Sequence, residues 1–337
     1  FHRLFMNDSA LYLLLTETSR QEDDFDYWLQ TIQLFGKNSP ILFAQNQKYG
    51  MPRALDIAPY KKHFNIKEDL FHINLLNNEG LDRLEEAIQY HIQQLSHTQR
   101  TIPRSWLGVR EALERVQLER PYISYEHFRE ICAAQDIKTR LGIQDVGVFL
   151  HRLGVLLWYH DNSVLQQKII LERHWATEGI FKLVFDTDIQ ATGQFSLAEA
   201  QAIWDKGAAK YCHHAHELIP LMSEFKLCYP RKHEANSYII PALLSSTAVD
   251  LDWKQPPRMT LEYRYDTILP RGLVNYLTAE LYDCIAEDTH AWSAGVWLHI
   301  PGAQAQVVEN RYQRHIRISV AGAQYRELFG AIKQVMD

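Results

Sequence analysis

The sequence has no apolar run long enough to cross a membrane, few cysteines, and no large excess of charge of either sign. A membrane-spanning helix needs about eighteen or more consecutive apolar residues, and no such run occurs. The net charge is -6 and the pI is near 6.3, which gives no reason to expect nucleic acid as the main ligand. The N-terminal residues also lack the pattern of a signal peptide. We therefore expect neither a membrane protein nor a nucleic-acid-binding protein.

The four cysteines are widely scattered and none forms a CxxC pair: Cys132, Cys212, Cys228 and Cys284. Reduced thiols in a cytoplasmic protein are the simplest interpretation. Two disulfides would also satisfy the count, but a chain of 337 residues does not need covalent cross-links to hold a core.

The composition is that of a globular chain, with 46% hydrophobic and 23% charged residues. Its length allows two or three domains. The chain starts at Phe1 with no start methionine, so we expect further sequence upstream. No internal repeat is evident from the letters.

Residues 141–186 are predicted to form a compact packing unit of helix, strand, turn, strand and helix. The apolar side chains of the first helix recur at mixed three- and four-residue steps: Val148, Leu150, Leu153, Leu156 and Leu157. Gly154 interrupts this stripe, and we interpret it as a place where a neighbouring backbone comes close. A returning strand is predicted at 164–171, and a second helix from His174.

Residues 1–100 alternate strands with helices. Continuous apolar runs at 10–16, 40–46 and 70–74 predict buried parallel strands. The helices between them predict a parallel sheet covered on both faces.

The rest of the chain reads as two further domains. Residues 104–244 are mostly helical with short hairpins, which suggests a winged-helix-like domain; Ser124 is a predicted helix cap, and Ser196 with Glu199 a capping box. Residues 245–257 read as a linker. Much of 258–337 alternates apolar and polar residues, as strands do, with helices predicted at 269–286 and 325–336. This pattern predicts a small antiparallel α+β domain. The fold class is therefore an α/β and α+β multidomain protein.

Long, ordered motifs cover nearly the whole chain and resemble the Roco proteins. Residues 1–95 resemble the second half of a Ras-like Roc domain, with PILFAQN at 40–46. Residues 104–244 resemble the first half of a COR domain, with RSWLGVREAL, FLHRLGVLLWYHD and IILERHWATEGIFKLV. Residues 258–337 resemble the second COR half, with LEYRYDTILPRGLVNYL.

The resemblance implies a Roc domain that binds and hydrolyses GTP, with GTP or GDP and Mg²⁺ as ligands. It implies a COR domain that forms a homodimer through 258–337 and contacts Roc within the chain. Family members often carry leucine-rich repeats upstream, and some carry a kinase downstream. The phosphate-binding pattern GxxxxGK[ST] does not occur in these residues, so the matching part of the family lies upstream of Phe1 and no catalytic residue is assigned.

The resemblance places two guanine-binding motifs inside the chain. The family's Asn-Lys-x-Asp motif falls on Asn46, Gln47, Lys48 and Tyr49, and only the asparagine is retained. The second motif, Ser-x-Lys in the family, falls on three residues of different chemistry: Asn74, Leu75 and Leu76. The family's aspartate accepts two hydrogen bonds from guanine, and its loss should remove much of the discrimination for that base.

Two hypotheses follow. The first is a GTPase whose nucleotide state alters COR dimerisation. The second is a pseudo-GTPase that serves as a dimeric scaffold, with its output in domains outside these residues. A winged-helix DNA-binding protein is a third idea, which the acidic balance disfavours.

Other groups of polar and aromatic residues favour structural roles. Four residues have the spacing of metal ligands, but no second cluster completes a site, so no metal is predicted: Cys212, His213, His214 and His216. His151 is interpreted as a hydrogen-bonded core histidine, and the acidic group Asp283, Glu287 and Asp288 as solvated. Core packing is favoured for each of six aromatic residues taken singly, with a partner interface as the alternative for part of the set: Tyr263, Tyr265, Tyr276, Tyr282, Trp292 and Trp297.

Overall fold

A computed structural model of the chain describes residues 6, 10–17, 25–47, 55–95, 102–206, 211, 215–266 and 268–337, except the side chain at position 173. The fold divides into two compact units, Phe1–Thr101 and Ile102–Asp337. None of the helices among the described residues is both long and apolar enough to cross a membrane.

The first unit contains a parallel three-stranded sheet. Its elements are β1 (Tyr12–Glu17), α1 (Phe25–Gly36), β2 (Ile41–Asn46), α2 (Ala58–Lys61), β3 (Phe71–Ile73) and α3 (Leu81–Gln93). The strand order is β1-β2-β3, and both pairings are parallel. Every residue of the central strand β2 is buried, as expected for a strand with apolar cover on both faces. The parallel sheet expected from the sequence is present.

Two apolar clusters account for the cover on the two faces of this sheet. Leu29 and Ile32 of α1 pack in one cluster with Phe43 of β2. Leu84 of α3 packs in the other with Leu42. Successive β2 side chains point to opposite faces, so Leu42 and Phe43 hold α3 and α1 on opposite sides.

The first part of the second unit repeats one order of elements. A helix, a short strand, two helices and a returning strand are followed by a similar series with one extra helix and one extra strand. The elements are α4 (Arg104–Gln117), β4 (Tyr122–Ser124), α5 (Tyr125–Ala134), α6 (Arg140–Arg152), β5 (Lys168–Ile170), α7 (Arg173–Val184), α8 (Thr187–Thr192), β6 (Gln194–Ser196), α9 (Leu197–Asp205), α10 (Ala215–Glu224), β7 (Tyr229–Pro230) and β8 (Ser237–Ile239).

Local geometry matches between the two series. Ser124 caps α5 and Ser196 caps α9, each by accepting a main-chain N–H with its side chain, and Ser196 with Glu199 forms the expected capping box. Gly154 after α6 and Lys226 after α10 both have positive φ, 71° and 55°. The two series therefore share an order of elements that no internal repeat in the sequence reveals.

The region 141–186 differs from its predicted outline in two ways. Helix α6 ends at Arg152, and Gly154 lies just beyond it in the left-handed conformation, so this glycine ends the helix rather than admitting a neighbour within it. Leu156 and Leu157 are core residues outside the helix. The predicted strand 164–171 is a 3₁₀ turn at Leu165–Gln167 followed by β5.

The last part is an antiparallel five-stranded sheet with two helices. It contains β9 (Met259–Arg264), α11 (Leu273–Glu280), β10 (Ala291–Trp292), β11 (Gly295–Ile300), β12 (Ala303–Asn310), β13 (His315–Gly322) and α12 (Tyr325–Met336), in strand order β10-β11-β12-β13-β9. Val307 and Ile318 of the sheet share a core with Leu277 of α11 and Leu328 of α12. Helix α11 is much shorter than the predicted 269–286, because the chain turns into 3₁₀ segments after Glu280.

Residues 245–257, predicted as a linker, lie against the sheet face opposite the helices. The Trp297 indole N–H donates to Val249 O at 2.8 Å, and the Lys254 N–H donates to Gln304 Oε1 at 3.3 Å. The rings of Trp253 and Trp297 meet edge to face at 4.8 Å. This segment is a fixed strap on the sheet.

Ion pairs join the repeated helical part to the antiparallel sheet part. Arg231 Nε lies 2.8 Å from Asp288 Oδ2, and Lys226 Nζ lies 2.9 Å from Glu280 Oε2. The Asp288 side chain is only 13% exposed, so interpreting it as solvated was wrong.

Candidate functional site

The candidate site lies where β2 and β3 end. These strands run in parallel, and Asn46 pairs in register with Ile73. The segments that follow them therefore leave the sheet side by side. Ligands of open α/β sheets bind outside the carboxyl ends of such strands, which makes this edge the place to look for one.

Asn46 connects the two segments. It is 5% exposed, and its Oδ1 accepts the N–H of Leu75 at 3.1 Å. The N–H of Gln47 donates to Ile73 O at 2.8 Å. A buried polar side chain costs free energy unless it is hydrogen-bonded, so the bond to Leu75 fixes the position of the Asn46 amide. We call this link between the two loops the Asn46 brace.

Gln47 makes a side-chain contact across the same edge. Its Nε2 lies 2.8 Å from Nδ1 of His72. With Nε2 as donor, this bond requires the His72 tautomer that carries its proton on the other ring nitrogen. Lys48 and Tyr49, the other two residues of this predicted motif, lie outside the described residues.

The second predicted motif is a tight turn with an apolar surface. Asn74 Oδ1 accepts the N–H of Leu76 at 2.9 Å, and the Asn74 N–H donates to Glu79 O at 2.9 Å. The Leu75 and Leu76 side chains are 49% and 64% exposed. A leucine with this exposure can cover an apolar or aromatic surface but supplies no charge to a ligand.

Among residues 46–47 and 72–79 the only carboxylate is that of Glu79. Its Oε2 lies 3.4 Å from Nδ2 of Asn77, and its N–H donates to Asn77 Oδ1. The polar side chains at this edge are otherwise amides and one imidazole. This part of the site therefore offers neutral donors and acceptors rather than a charged acceptor.

Comparison with known protein families identifies the second unit. The family model described as C-terminal of Roc, COR-A domain, matches residues 103–244. The model described as C-terminal of Roc, COR-B domain, matches residues 257–337. The chain belongs to the Roco family. It is a Roc–COR module of that family.

Individual Roco relatives resemble the chain over most of its length. A Roc-COR-CHAT protease from an unknown prokaryotic organism is 25% identical over 99% of the chain and 33% of its own length. A Roc-COR-CHAT protease of Runella zeae is 25% identical over 93% of the chain and 34% of its own length. The chain thus spans about a third of the length of these two relatives.

A solved Roco structure resembles the chain in sequence and fold. It is the RocCORdC structure of Methanosarcina barkeri Roco2 bound to GDP. It is 26% identical, has a TM-score of 0.55, and covers 72% of this chain and 75% of its own.

Sequence reasoning missed His72 in this Roco chain. His72 is exposed between the buried residues Phe71 and Ile73 of β3. A polar residue one position before the end of a predicted parallel strand is a signal that could have identified it.

The remaining polar candidates of the Roco chain have structural partners or lie outside the described residues. His151 Nδ1 accepts the N–H of Trp158 at 3.2 Å, and burial lowers the pKa of His151, which suits a neutral core histidine. Positions 212–214 are not described. Among the described residues, no group of three or more His, Cys, Asp or Glu side chains could hold a metal.

The described cysteines of this Roco chain are free thiols: Cys132, Cys228 and Cys284. Burial raises the pKa of Cys132 and of Cys228 to about 12. Such thiols stay protonated and are poor nucleophiles, so they act as small core residues.

Proposed function

We propose that the chain binds guanine nucleotide and couples GTP hydrolysis to COR-mediated dimerisation. In this proposal residues 1–100 are the C-terminal part of a Ras-like Roc GTPase domain. Residues 104–244 are the winged-helix-like first half of COR, and residues 258–337 are the α+β half that dimerises. The Roco relatives and the GDP-bound Roco2 structure support this assignment.

The observation that carries the proposal is the Asn46 brace. One buried amide ties the segment after β2 to the segment after β3, and these are the segments on which the resemblance places both base-recognition motifs. A base-binding edge needs its two loops held in fixed positions before the ligand arrives, because ordering them on binding would cost affinity.

Some of the residues at this edge suit a purine base. Gln47 would lie beside the base, and the exposed Leu75 and Leu76 would cover its apolar faces. GTP would supply the phosphates for the reaction, and Mg²⁺ would neutralise their charge. The residues of this chain would hold the base end, since GxxxxGK[ST] does not occur among them.

The second candidate is a pseudo-GTPase scaffold, favoured by the chemistry of the same edge. Gln47 stands where the family has lysine, and its amide already bonds His72. Leu76 stands where the second motif has lysine, and Tyr49 replaces the aspartate. A site that lacks the bidentate acceptor loses its main means of selecting guanine.

Calorimetric titration of GTP, GDP and ATP in the presence of Mg²⁺ separates the two candidates. A working switch predicts binding of GTP and GDP but not ATP, together with a nucleotide-dependent change in molar mass measured by light scattering. The scaffold predicts that no nucleotide binds and that the molar mass does not depend on nucleotide.

A variant sharpens this test. Under the scaffold reading, the double substitution Gln47→Lys and Tyr49→Asp should raise GTP affinity by about tenfold or more, because it restores a charged bidentate acceptor. Gln94→Lys combined with Gln93→Asp adds the same two charges at exposed positions at the end of α3 and serves as the matched control. An equal gain in both variants would mean non-specific attraction for phosphate.

A further inference from the structure

Strand β9 is an open edge of the antiparallel sheet. It stands last in the strand order, and no strand of the described residues pairs with its outer side. It is six residues long and none of them is fully buried. Proteins rarely leave such an edge unpaired and unguarded, because its free main-chain groups attract another strand.

The register with β13 indicates which main-chain groups are free. Arg264 pairs with His315, and Tyr265 continues the ladder by donating its N–H to Arg314 O at 2.9 Å. Main-chain groups alternate sides along an antiparallel strand. The groups of Leu261 and Tyr263 therefore face β13, and those of Thr260, Glu262 and Arg264 face outward.

The side chains of β9 divide between the two faces of the sheet. Tyr263 lies on the helix face, packs half-buried against the core, and donates its O–H to Asp337 Oδ1 at 2.7 Å. On the opposite face, Glu262 lies 2.7 Å from Arg264 Nη2 and 2.9 Å from Arg317 Nε. Arg264 is 78% exposed, so its guanidinium can reach a partner beyond the edge.

We propose that β9 pairs antiparallel with β9 of a second copy, about a two-fold axis at Tyr263, so that the two sheets become one. This inference rests on the proposed dimerisation through 258–337 and names the surface that performs it. Pairing of identical edges buries the same strand on both copies and closes the assembly at two.

Charge selects this register among the neighbouring ones. With the axis at Tyr263, Glu262 of each copy lies opposite Arg264 of the other. An axis at Glu262 would place the two Glu262 carboxylates opposite each other, and an axis at Leu261 would oppose Arg258 to Arg264. Like charges directly across a strand pair are destabilising, and opposite charges stabilise.

The same register places the two Tyr263 residues opposite each other. The outward main-chain groups belong to the even-numbered residues, so Tyr263 and its counterpart form a non-hydrogen-bonded pair with Cα atoms about 4.5 Å apart. That spacing is within the range a disulfide can bridge. Thr260 lies three residues from the axis, which separates it from its counterpart by about 20 Å.

Cysteine cross-linking of the full chain tests the geometry. We expect Tyr263→Cys to give a covalent dimer on a non-reducing gel after mild oxidation. Thr260→Cys and the unaltered chain should remain uncross-linked, and the latter controls for the native cysteines. Circular dichroism checks that the Tyr263→Cys chain remains folded.

Charge reversal provides a second measurement that keeps Tyr263 intact. Glu262→Arg and Arg264→Glu should each raise the dimer dissociation constant, by sedimentation, about tenfold or more. The double variant should return it to near the original value, because the pair is restored with reversed sign.

The outcomes separate this inference from the function on which it rests. A dimer that neither cross-links through Cys at 263 nor responds to charge reversal would overturn the β9 interface and leave dimerisation standing. A chain that stays monomeric at every concentration and in every nucleotide state would overturn both. Nucleotide binding is measured independently of either result.

Discussion

At the scale of single residues, Asn46 matters most to the candidate site because it is buried and polar. Its retained match to the family motif could be explained by base recognition alone. The structure gives it a second role, since its Oδ1 holds the Leu75 N–H. Asn46 therefore shapes the edge whether or not a base binds there.

Replacing Asn46 with alanine should destabilise the loop that follows β3. The partly buried Leu75 N–H would lose its acceptor, at a cost of about 1 kcal/mol. Hydrogen exchange of the 71–80 segment should then be faster by the corresponding factor. Gln47→Ala is the matched control, because its bond to His72 is exposed and its removal should change exchange little. Unchanged exchange in Asn46→Ala would show that the brace does not hold the loop.

At the scale of elements, helix caps position the two helical series of the COR-A part. Ser196 Oγ accepts the N–H of Glu199, and the Glu199 carboxylate accepts the N–H of Ser196. The hydrogen bond from the Ser196 main-chain N–H lowers the pKa of the Glu199 carboxyl the most, and the hydrogen bond from the Ser196 side chain lowers it further. This contribution to stability is present above the ordinary pKa of glutamate and is lost as pH falls through the lowered folded-state pKa.

Ser196→Ala should lower the free energy of unfolding by about 1 kcal/mol at neutral pH, the usual cost of losing a serine cap. Glu199→Gln should reduce the loss of stability on acidification, because the group that titrates is gone. Urea unfolding at several pH values measures both effects. Ser124→Ala is the control for losing a serine cap alone. Ser124 caps α5 by accepting the His127 N–H, and no capping-box carboxylate accompanies it. A Glu199→Gln chain with the original acid dependence would contradict the role of this carboxylate.

At the scale of the whole second unit, Arg231 and Asp288 join the COR-A and COR-B parts across a long stretch of sequence. Arg231 also pairs with Glu234, and the N–H of Lys232 lies 3.4 Å from Asp288 Oδ1. The stacked rings of Tyr229 and Tyr282 lie beside these charges at 6.0 Å. The two parts therefore share a packed seam with an ion pair at its rim.

Arg231→Ala should destabilise the second unit by about 1–3 kcal/mol, because it leaves Asp288 largely buried without its strongest partner. Asp288→Asn should recover part of the loss in the double variant, and a thermodynamic cycle measures the coupling. Lys333→Ala breaks an exposed pair with Asp337 and should have a much smaller effect. Equal effects of Arg231→Ala and Lys333→Ala would mean that the seam does not depend on this pair.

The sequence by itself determined the elements whose pattern is local. Apolar runs located β1, β2 and β3, the amphipathic pattern of 325–336 matched α12, and Ser124, Ser196 and Glu199 marked helix starts. Side-chain periodicity and capping depend on residues only a few positions apart, so they can be read from the letters.

Tertiary structure alone decided how distant segments were used. Residues 245–257 resemble a linker in the sequence, but in the structure the side chains of Trp297 and Gln304 hydrogen-bond to their backbone. Asp288 appears solvated until Arg231 reaches it from 57 positions away, and Gln47 has no visible partner until β3 brings His72 beside it. These contacts arise from packing between segments far apart in the chain, and no local pattern encodes that packing.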